Sequence, residues 1–433
     1  MAKKKRVLTG DRPTGPLHLG HYVGTLANRV RLQDEYEVFL LIADYHALTT
    51  KPEKADILAA REYIREIVLD YLSVGIDPEK TTIYVQSDVP EVCELALLFS
   101  MLVTLPRVER IPTLKDMIRD QKIENPSMGL MLYPILQAAD ILHVKAEIVP
   151  VGKDQESHVE LCREIARRFN SLYGEVFPEP EALIGDVPTL PGIDGRAKMS
   201  KSLGNAIFLS DPPEEVARKV MQMFTDPTRI RPDIPADPDA PHNVVFRYHE
   251  AFNDDQAEVE ELKARYRQGK VGDVEVKKRL IAALERFLAP IRERRAYYAA
   301  RPHLIDEILA AGAAKVRPIS QATLAEARAA MGLPDHCHVV GMVGRICEQK
   351  AQDDFIKAAH LIQLRVPNTM FVIAGAADDE ALLGRLRHLV AELDLQQHVL
   401  FAGYVPNIAT LYNALDVLVM PSRGEGFGLV LAE

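Results

Sequence analysis

The spacing of apolar and polar positions along the chain predicts strands in some segments and helices in others. In the first region, predicted strands alternate with predicted helices. Strands are predicted at Arg6–Thr9, Val38–Ile42, Thr82–Val85 and Ile148–Val151, and a helix at Ile57–Leu72. This alternation is typical of a parallel sheet with helices on both faces. The Pro- and Gly-rich stretch Pro178–Gly195 predicts a loop.

The second region, Pro213–Ala330, has almost no strand signals. Its periodicity predicts amphipathic helices at Ala257–Gln268, Val276–Tyr298 and Leu304–Ala314. From Glu261 to Ala330 there are 15 Lys and Arg against 8 Asp and Glu, a net charge of +7, whereas the whole chain carries −10. A basic block on an acidic protein favours a polyanion bound at one place, and a solvated helix face is the alternative interpretation.

Alternation of strands and helices resumes beyond a break at Gly332–Asp335. Strands are predicted at Val339–Val343, Met370–Gly375, Val399–Gly403 and Val417–Pro421, with helices at Asp354–Arg365 and Glu380–Leu393. The chain ends at Glu433 where a further helix would begin, so we expect this last domain to be incomplete. The predicted domains are therefore residues 1–212, 213–333 and 334–433.

Composition narrows the class of protein. A chain of 433 residues with 47% hydrophobic and 26% charged positions is expected to be globular, with several domains. Its four cysteines form no close CxxC pair, which favours a reducing cytoplasm over a disulfide framework or a zinc ribbon. The most apolar windows, such as Leu95–Leu105, are too short to cross a membrane, and no cluster of metal ligands is evident.

Two segments carry candidate chemistry for a triphosphate. The first, Pro13–His21, follows the first strand and opens a helix, where free N–H groups suit phosphate; His18 and His21 are spaced to face the same side. The second, Lys198–Ser202, places two lysines three residues apart in a Gly-flanked loop, a compact cationic clamp for a leaving pyrophosphate. Either segment alone is more often a solvated loop.

Together the two segments resemble the signatures of class I aminoacyl-tRNA synthetases, HIGH (here His18-Leu19-Gly20-His21) and KMSKS (here Lys198-Met199-Ser200-Lys201-Ser202). With Thr9–Gly15, Ala43–Ala47, Tyr133–Leu142 and Val149–Gln155, the set resembles bacterial tryptophanyl-tRNA synthetases over about residues 1–333. The resemblance implies a Rossmann-like α/β catalytic domain (1–212), a helical anticodon-side domain (213–333), a homodimer, and L-tryptophan, ATP with Mg²⁺, and tRNA as substrates. Tyrosine is the alternative amino acid, because tyrosyl-tRNA synthetases share this architecture.

The resemblance also implies roles for individual residues. Asp140 would accept the indole N–H, which suits a ring with one donor and no acceptor, and Tyr133 and Gln155 would complete the tryptophan site. The implied ATP ligands are Arg12, Pro13, Thr14, Gly20, His21, Gly152, Lys153, Asp154, Leu190, Lys198, Met199, Ser200, Lys201 and Ser202. His18, His21, Lys198 and Lys201 would stabilise the transition state. Lys277, Lys278, Arg292 and Arg295 would contact tRNA phosphates. Arg12 stands where many relatives carry Gln, and Gln137 stands where some relatives carry Met.

A second resemblance concerns residues 334–433. Val340–Arg345, Glu348–Lys350 and Glu425–Glu433 resemble the C-terminal half of retaining GT-B glycosyltransferases, an incomplete Rossmann-like α/β unit. The resemblance places Arg345 and Lys350 at a donor diphosphate and Glu425 and Glu433 at the sugar and ribose. We expect this site to be vestigial, because the acceptor-binding domain of that family is replaced here by the synthetase. Nucleotide-sugar binding or transfer is thus the alternative function from another class.

Overall fold

The structure is a computed structural model, and it describes residues 4–424 except 121, 153–154, 185–189, 196–198, 202, 227–228, 230, 241–242, 334–336, 407 and 413. The chain divides into two compact units, Met1–Ala330 and Met331–Glu433. Each unit has a hydrophobic core and a parallel sheet of its own.

The sheet of the first unit has five parallel strands in the order β3-β2-β1-β4-β5. They are β1 (Arg6–Asp11), β2 (Glu37–Ile42), β3 (Thr81–Val85), β4 (Ile148–Val151) and β5 (Glu181–Ile184). Strands β2 and β3 are almost wholly buried, as strands in a doubly covered sheet should be, and Val7–Thr9 of β1 are buried too. The predicted Rossmann-like α/β class is confirmed.

Strand β5 is a strand of this sheet that the sequence did not predict. Glu181–Ile184 pairs in parallel with β4, Ile148 opposite Glu181 and Val151 opposite Ile184, inside the stretch that we predicted to be a loop. The loop prediction is wrong here because β5 is an edge strand. Three of its four residues are exposed, so no apolar pattern marks it.

The helices of the first unit surround this sheet. They are α1 (Leu19–His21), α2 (Ala27–Glu35), α3 (Asp44–Leu48), α4 (Lys54–Val74), α5 (Glu91–Ser100), α6 (Leu105–Val108), α7 (Pro112–Asp120), α8 (Met128–His143), α9 (Glu156–Tyr173), α10 (Pro213–Met221), α11 (Val244–Phe252), α12 (Gln256–Arg267), α13 (Asp273–Ala299) and α14 (Pro302–Ala330). A π-helical turn, Tyr22–Leu26, joins α1 to α2. Within the described part of the chain, no helix combines the length and apolarity that crossing a membrane requires.

One hydrophobic core extends from the sheet into the helical stretch. It includes Leu40 and Ile83 from the strands and Leu280 and Leu284 from α13. Helix α14 lies directly against β3, where a Cβ added to Gly312 would be 1.8 Å from the carbonyl oxygen of Ile83. The helical stretch that we assigned to residues 213–333 therefore shares its core with the sheet.

The second unit has a four-stranded parallel sheet in the order β8-β7-β6-β9. Its elements are β6 (His338–Val343), α15 (Gln352–Gln363), β7 (Thr369–Ala374), α16 (Glu380–Glu392), β8 (Val399–Gly403), α17 (Ile408–Tyr412) and β9 (Val417–Leu418). Its core lies between the sheet and helices α15 and α16, with Phe355, Phe371 and Leu386 buried. The predicted second α/β unit is confirmed.

Candidate functional site

A cavity of about 390 Å³ opens at the carboxyl ends of β1 and β4. Strand order reverses between these two strands, and such a switch point is where ligands bind in open α/β sheets. Residues from both strand ends line the cavity, including Asp11 and Arg12 after β1 and Gly152 after β4. Helix α8 supplies Tyr133, Gln137 and Asp140 to the same wall. The fold thus brings together residues that lie far apart in the sequence.

Asp140 is buried at the wall of this cavity and held by two side chains. His46 Nε2 lies 2.8 Å from its Oδ2. Gln86 Nε2 donates to both carboxylate oxygens, at 2.8 and 2.9 Å. These contacts fix the plane of the carboxylate. Its remaining lone pairs therefore have a fixed direction in the cavity.

His46 and Gln86 are functional candidates that our sequence analysis did not assign. His46 lies on α3, just beyond the end of β2, and Gln86 follows β3 directly. A usable signal existed, because polar residues that follow the carboxyl ends of neighbouring parallel strands meet at one edge of a sheet. We quoted His46 only as part of a motif, and Gln86 lies in no motif at all.

Tyr133 forms a second wall of the cavity and is itself buried. Its ring lies edge-on to His46, with centroids 6.3 Å apart, and its hydroxyl is 3.3 Å from His158 Nε2 on α9. Burial raises the pKa of Tyr133, so its hydroxyl stays protonated near neutral pH. The cavity therefore has an aromatic wall beside a fixed carboxylate, which suits a flat ring that carries a hydrogen-bond donor.

The first predicted phosphate loop is hydrogen-bonded to the segment Ile207–Leu209, which follows the second predicted loop. Leu19 N–H donates to Ile207 O at 2.9 Å, and Leu209 N–H donates to Leu17 O at 3.0 Å. Between them His18 forms an antiparallel bridge with Phe208. His18 is buried and stacks on His21 with ring centroids 3.7 Å apart. The two imidazole rings are therefore in direct contact.

Lys201 joins the two predicted phosphate loops. Its Nζ donates to Gly15 O at 2.6 Å, and Gly15 has the left-handed φ of +123° that favours glycine. Burial lowers the pKa of Lys201 to about 8 and Arg12 adds to this, while Asp11 and Asp70 oppose it. Lys201 thus holds its ammonium against the backbone of the first loop.

In and around the second loop, one residue is held by a backbone hydrogen bond and two others by burial of their side chains. Ser200 N–H donates to Asn205 Oδ1 at 2.8 Å, and Asn205 in turn binds Asp194 at 3.1 Å, which braces the turn. Leu190 and Met199 have buried side chains in the core, so they can meet a nucleotide only through their backbones. Lys198 and Ser202 lie outside the described residues.

Arg12 is exposed at the rim of the cavity, with a buried ion pair directly behind it. Arg29 pairs with Asp11 and donates to Gly10 O at 3.1 Å, and Tyr71 Oη donates to Asp11 Oδ2 at 2.7 Å. Burial alone would raise the pKa of Asp11, but the charge and hydrogen bond of Arg29 outweigh it and lower the pKa to about 2. Asp11 is thus a permanent anion that anchors the end of β1.

Other predicted nucleotide ligands lie at the same edge. Pro13 is buried and Thr14 is exposed, with Thr14 N–H donating to Arg12 O at 2.8 Å in a tight turn. Gly20 has no room for a side chain, because a Cβ would be 3.0 Å from His18 Nδ1. Gly152 and Gln155 line the cavity near Asp140. Lys153 and Asp154 lie outside the described residues.

The four predicted tRNA contacts do not form one exposed surface. Lys277 is buried and donates to Met221 O at 3.0 Å and Met223 O at 2.7 Å, so its ammonium serves the core. Arg295 binds Glu66 and Asp70, and Arg292 binds Glu285. Of the four, Lys278 is the exposed side chain, which does not fit our picture of a continuous basic cluster.

In the second unit, Arg345 and Lys350 follow the carboxyl end of β6. Arg345 is exposed and pairs with Asp378 at 3.1 Å. A Cβ at Gly344 would lie 3.6 Å from Lys350 Cε, so the lysine stem covers this glycine. Glu425 and Glu433 lie outside the described residues, and the predicted nucleotide-sugar site therefore stays a prediction.

Comparisons with known proteins match these two units separately. Residues 1–289 match the family "tRNA synthetases class I (W and Y)", and residues 325–433 match "Glycosyl transferases group 1". A tryptophan–tRNA ligase of Treponema pallidum is 56% identical over 76% of this chain and 97% of its own length. A second, from Borreliella burgdorferi, is 52% identical over 76% of this chain and 94% of its own.

A solved structure agrees. Tryptophanyl-tRNA synthetase from Campylobacter jejuni, complexed with ADP and tryptophan, has 35% identity and a TM-score of 0.68. The similarity covers 76% of this chain and 100% of that one. The family match spans the sheet, the cavity at β1 and β4 and both ends of the contact between Gly15 and Lys201. The chain thus belongs to the class I tRNA synthetases of the tryptophan and tyrosine group, with a glycosyltransferase-like segment at its carboxyl end.

Proposed function

We propose that this protein activates L-tryptophan with ATP and transfers it to tRNA(Trp). The observation that carries the proposal is the meeting of three features at one sheet edge. They are the carboxylate of Asp140, the aromatic wall of Tyr133, and the contact of Lys201 with Gly15. Relatives at 52–56% identity are named tryptophan–tRNA ligases, which favours tryptophan over tyrosine.

The proposed chemistry has two steps. The tryptophan carboxylate attacks the α-phosphorus of ATP, which forms the aminoacyl-adenylate and breaks the bond to the leaving pyrophosphate. The 2′-hydroxyl of the terminal tRNA adenosine then attacks the acyl carbon, loses its proton, and releases AMP. No covalent bond to the protein is needed, so His18, His21 and Lys201 act by position and charge, together with Lys198.

The nucleotide substrate is the Mg²⁺ complex of ATP. Magnesium prefers oxygen ligands and keeps few protein contacts when it is bound through phosphates. Among the described residues, no three His, Cys, Asp or Glu side chains are grouped so that they could hold a metal ion. The donor set therefore suits a metal that enters with the phosphates, which supply most of its ligands.

Recognition of indole by Asp140 explains why tryptophan is favoured. Indole has one N–H donor and no acceptor, and the Asp140 carboxylate offers acceptors alone. His46 and Gln86 use part of this capacity and leave the rest for the substrate. A buried acceptor that loses its donor is costly, which is how such a site rejects analogues by roughly 10⁴-fold or more.

Amino-acid-dependent exchange of pyrophosphate with ATP tests the proposal. We expect exchange with L-tryptophan at micromolar to millimolar concentrations and little with L-tyrosine. Subsequent charging of tRNA(Trp), followed by acid-precipitable tryptophan, tests the second step. Faster exchange with tyrosine than with tryptophan would contradict the substrate, and exchange with neither would contradict the function.

Contact with tRNA is proposed for the exposed cations of α13. Lys278 is exposed, and Arg279 and Arg286 are exposed with single carboxylate partners, Glu258 and Asp254. Surface pairs of this kind are weak, so a phosphate can replace the carboxylate. These contacts position the tRNA without reading its sequence, and their contribution should fall as salt increases.

A homodimer is proposed from an apolar surface on the first unit. Helices α5 and α6 each pack on α8, and Leu97, Met101, Leu105 and Met128 on or beside these helices are each more than half exposed. Large apolar side chains gathered on neighbouring helices are typical of a protein interface. Light scattering of the purified chain gives the oligomeric state directly.

The cytoplasm is the proposed compartment. Cys93, Cys162, Cys337 and Cys347 are all free thiols in the structure. Unpaired cysteines fit a reducing environment, which is also where ATP and tRNA are available.

A further inference from the structure

Asp70 is a buried carboxylate that the proposed chemistry does not use. It lies on α4 with no exposed surface. Its Oδ2 accepts the N–H of Leu17 at 2.7 Å, and its Oδ1 accepts Nε of Arg295 at 3.2 Å. Burying a charge costs desolvation free energy, which these two hydrogen bonds offset. One of them comes from the loop that precedes His18.

Leu17 is held in that loop by its side chain and by both of its backbone polar groups. Its side chain is buried, its N–H is held by Asp70, and its carbonyl accepts Leu209 N–H at 3.0 Å. Gly15, two residues earlier, presents the carbonyl that Lys201 binds, and His18 follows directly. A displacement of Leu17 would therefore move both sides of the proposed phosphate site.

The other partner of Asp70 comes from α13. Arg295 binds Asp70 and Glu66 on α4, and its neighbour Arg294 donates to Ser73 O at 2.6 Å. Two consecutive arginines of the basic stretch are thus used to hold α13 against α4. Arg295 neutralises the buried charge of Asp70 while leaving its Oδ2 to Leu17.

We propose that Asp70, held by Arg295, is a positioning residue that sets the ATP-binding loop of the synthetase through the N–H of Leu17. The inference rests on the proposed function, because the loop is taken to bind ATP. A carboxylate suits the task because each oxygen accepts from a different element. Asparagine has one acceptor oxygen, and its amide N–H groups would face the guanidinium of Arg295.

The variant Asp70→Asn tests the proposal in the full chain. We expect the KM for ATP in tryptophan-dependent exchange to rise on the order of ten- to a hundredfold, because small displacements of positioned groups have effects of this size. The KM for tryptophan should change less than about twofold, because Leu17 does not line the tryptophan cavity. Active-site titration corrects both values for the folded fraction.

Asp306→Asn is the matched control. It removes an Asp–Arg pair that also joins α4, through Arg65 at 2.5 Å, but both side chains of this pair are exposed, whereas Asp70 is buried. We expect unchanged constants for this variant. Arg295→Gln is the second test variant, which leaves the bond from Leu17 to Asp70 in place, and it should raise the KM for ATP less than Asp70→Asn does. It also keeps the test open if Asp70→Asn fails to fold.

The outcomes separate this inference from the proposed function. Unchanged KM for ATP in both variants, or an equal rise in both KM values, would overturn the role of Asp70. Calorimetric titration with ATP alone provides the independent readout. A wild-type chain that binds ATP without tryptophan-dependent exchange contradicts the proposed function, while weaker ATP binding by Asp70→Asn still supports the inference. A wild-type chain that binds no ATP overturns both.

Discussion

At the scale of single residues, the proposed tryptophan site depends on how Asp140 is held. Gln86 donates to both oxygens of this carboxylate, and His46 contacts one of them. The carboxylate is therefore held in one orientation. The family resemblance in the sequence predicts that Asp140 accepts the indole N–H. The two side chains that hold it follow the carboxyl ends of β2 and β3, a position that could have marked them as candidates, but their contact with Asp140 depends on long-range packing and appears in no local pattern.

The hydrogen bond to Asp140 is tested by a substrate analogue. In 3-benzothienylalanine a sulfur atom replaces the indole N–H at nearly constant shape. We expect wild-type protein to prefer tryptophan over this analogue by roughly 10⁴-fold in kcat/KM, since the analogue leaves a buried acceptor unpaired. For Asp140→Ala the preference should shrink to about tenfold, mostly through loss of activity on tryptophan. An unchanged preference in the variant would show that Asp140 does not meet the ring.

Lys201 gives a prediction for pH dependence. Its pKa is lowered to about 8, chiefly by burial, so its ammonium is charged below that pH and is lost as pH rises through it. The kcat/KM for ATP should therefore fall on the alkaline side with an apparent pKa of about 8, since this parameter reports the free protein. In Lys201→Arg the guanidinium stays charged, and this alkaline limb should disappear. Retention of the same limb would assign it to another group.

The four cations that we predicted for tRNA show why surface chemistry is harder to predict. Lys277 and Lys278 are adjacent in sequence and chemically identical, but Lys277 is buried against two carbonyls and Lys278 is exposed. Burial of a lysine depends on which helix face meets α10, and the charge count cannot distinguish the two. In Lys277, burial lowers the pKa, a further sign that it belongs to the core.

At the scale of elements, regular patterns were predictable and exceptions were not. Strands β1 to β4 were all predicted from short apolar and β-branched runs, although only β2 and β3 are almost wholly buried. Helix α14 was predicted to end at Ala314 but continues to Ala330, through Pro318. Proline usually ends a helix, but here tertiary contacts prevail, because Ser320, Thr323, Leu324 and Ala327 beyond it are all buried.

The contact of α14 with β3 gives a stability prediction. In Gly312→Ala the new Cβ would meet the Ile83 carbonyl oxygen at 1.8 Å, so the helix must move away from the sheet. We expect a loss of about 3 kcal/mol in the free energy of unfolding of the first unit, from overpacking. Gly384→Ala is the control on α16, where no atom lies within 4 Å, and it should stabilise its helix by about 0.5–1 kcal/mol. Calorimetry measures both; an unaltered transition in Gly312→Ala would contradict the close packing.

At the scale of the whole molecule, the two units have separate cores, and the proposed synthetase site is built from residues of the first. Cavity, phosphate loops and Asp70 all come from residues before Ala330. The sequence placed the boundary at residue 333 from a Gly- and Pro-containing break, whereas the glycosyltransferase match begins at 325, inside α14. The two boundaries differ by only a few residues, but most of the residues between them form the last turns of α14.

Helix α14 supports the helix that carries Asp140. His143 lies one turn beyond Asp140 on α8, and its Nδ1 is 3.0 Å from Ser320 Oγ. Burial lowers the pKa of His143 to about 3, so the ring is neutral and binds by hydrogen bonds alone. The last turns of α14 add Glu326, which pairs with Lys145 at 2.6 Å, and Arg328, which pairs with Glu94.

A chain cut after residue 333 should therefore keep its activity, and a chain cut after residue 324 should not. The first retains all of α14, so we expect tryptophan-dependent exchange within about twofold of the full chain, since mutually independent sites contribute additively. The second loses buried Ala327 and the pairs made by Glu326 and Arg328, while keeping Ser320 beside His143. It should unfold at lower temperature and lose exchange most strongly on warming. Loss of exchange in the chain of 333 residues would mean that the glycosyltransferase-like segment contributes to the synthetase. Full activity and stability in the chain of 324 residues would place the functional boundary at the family match instead of at the end of α14.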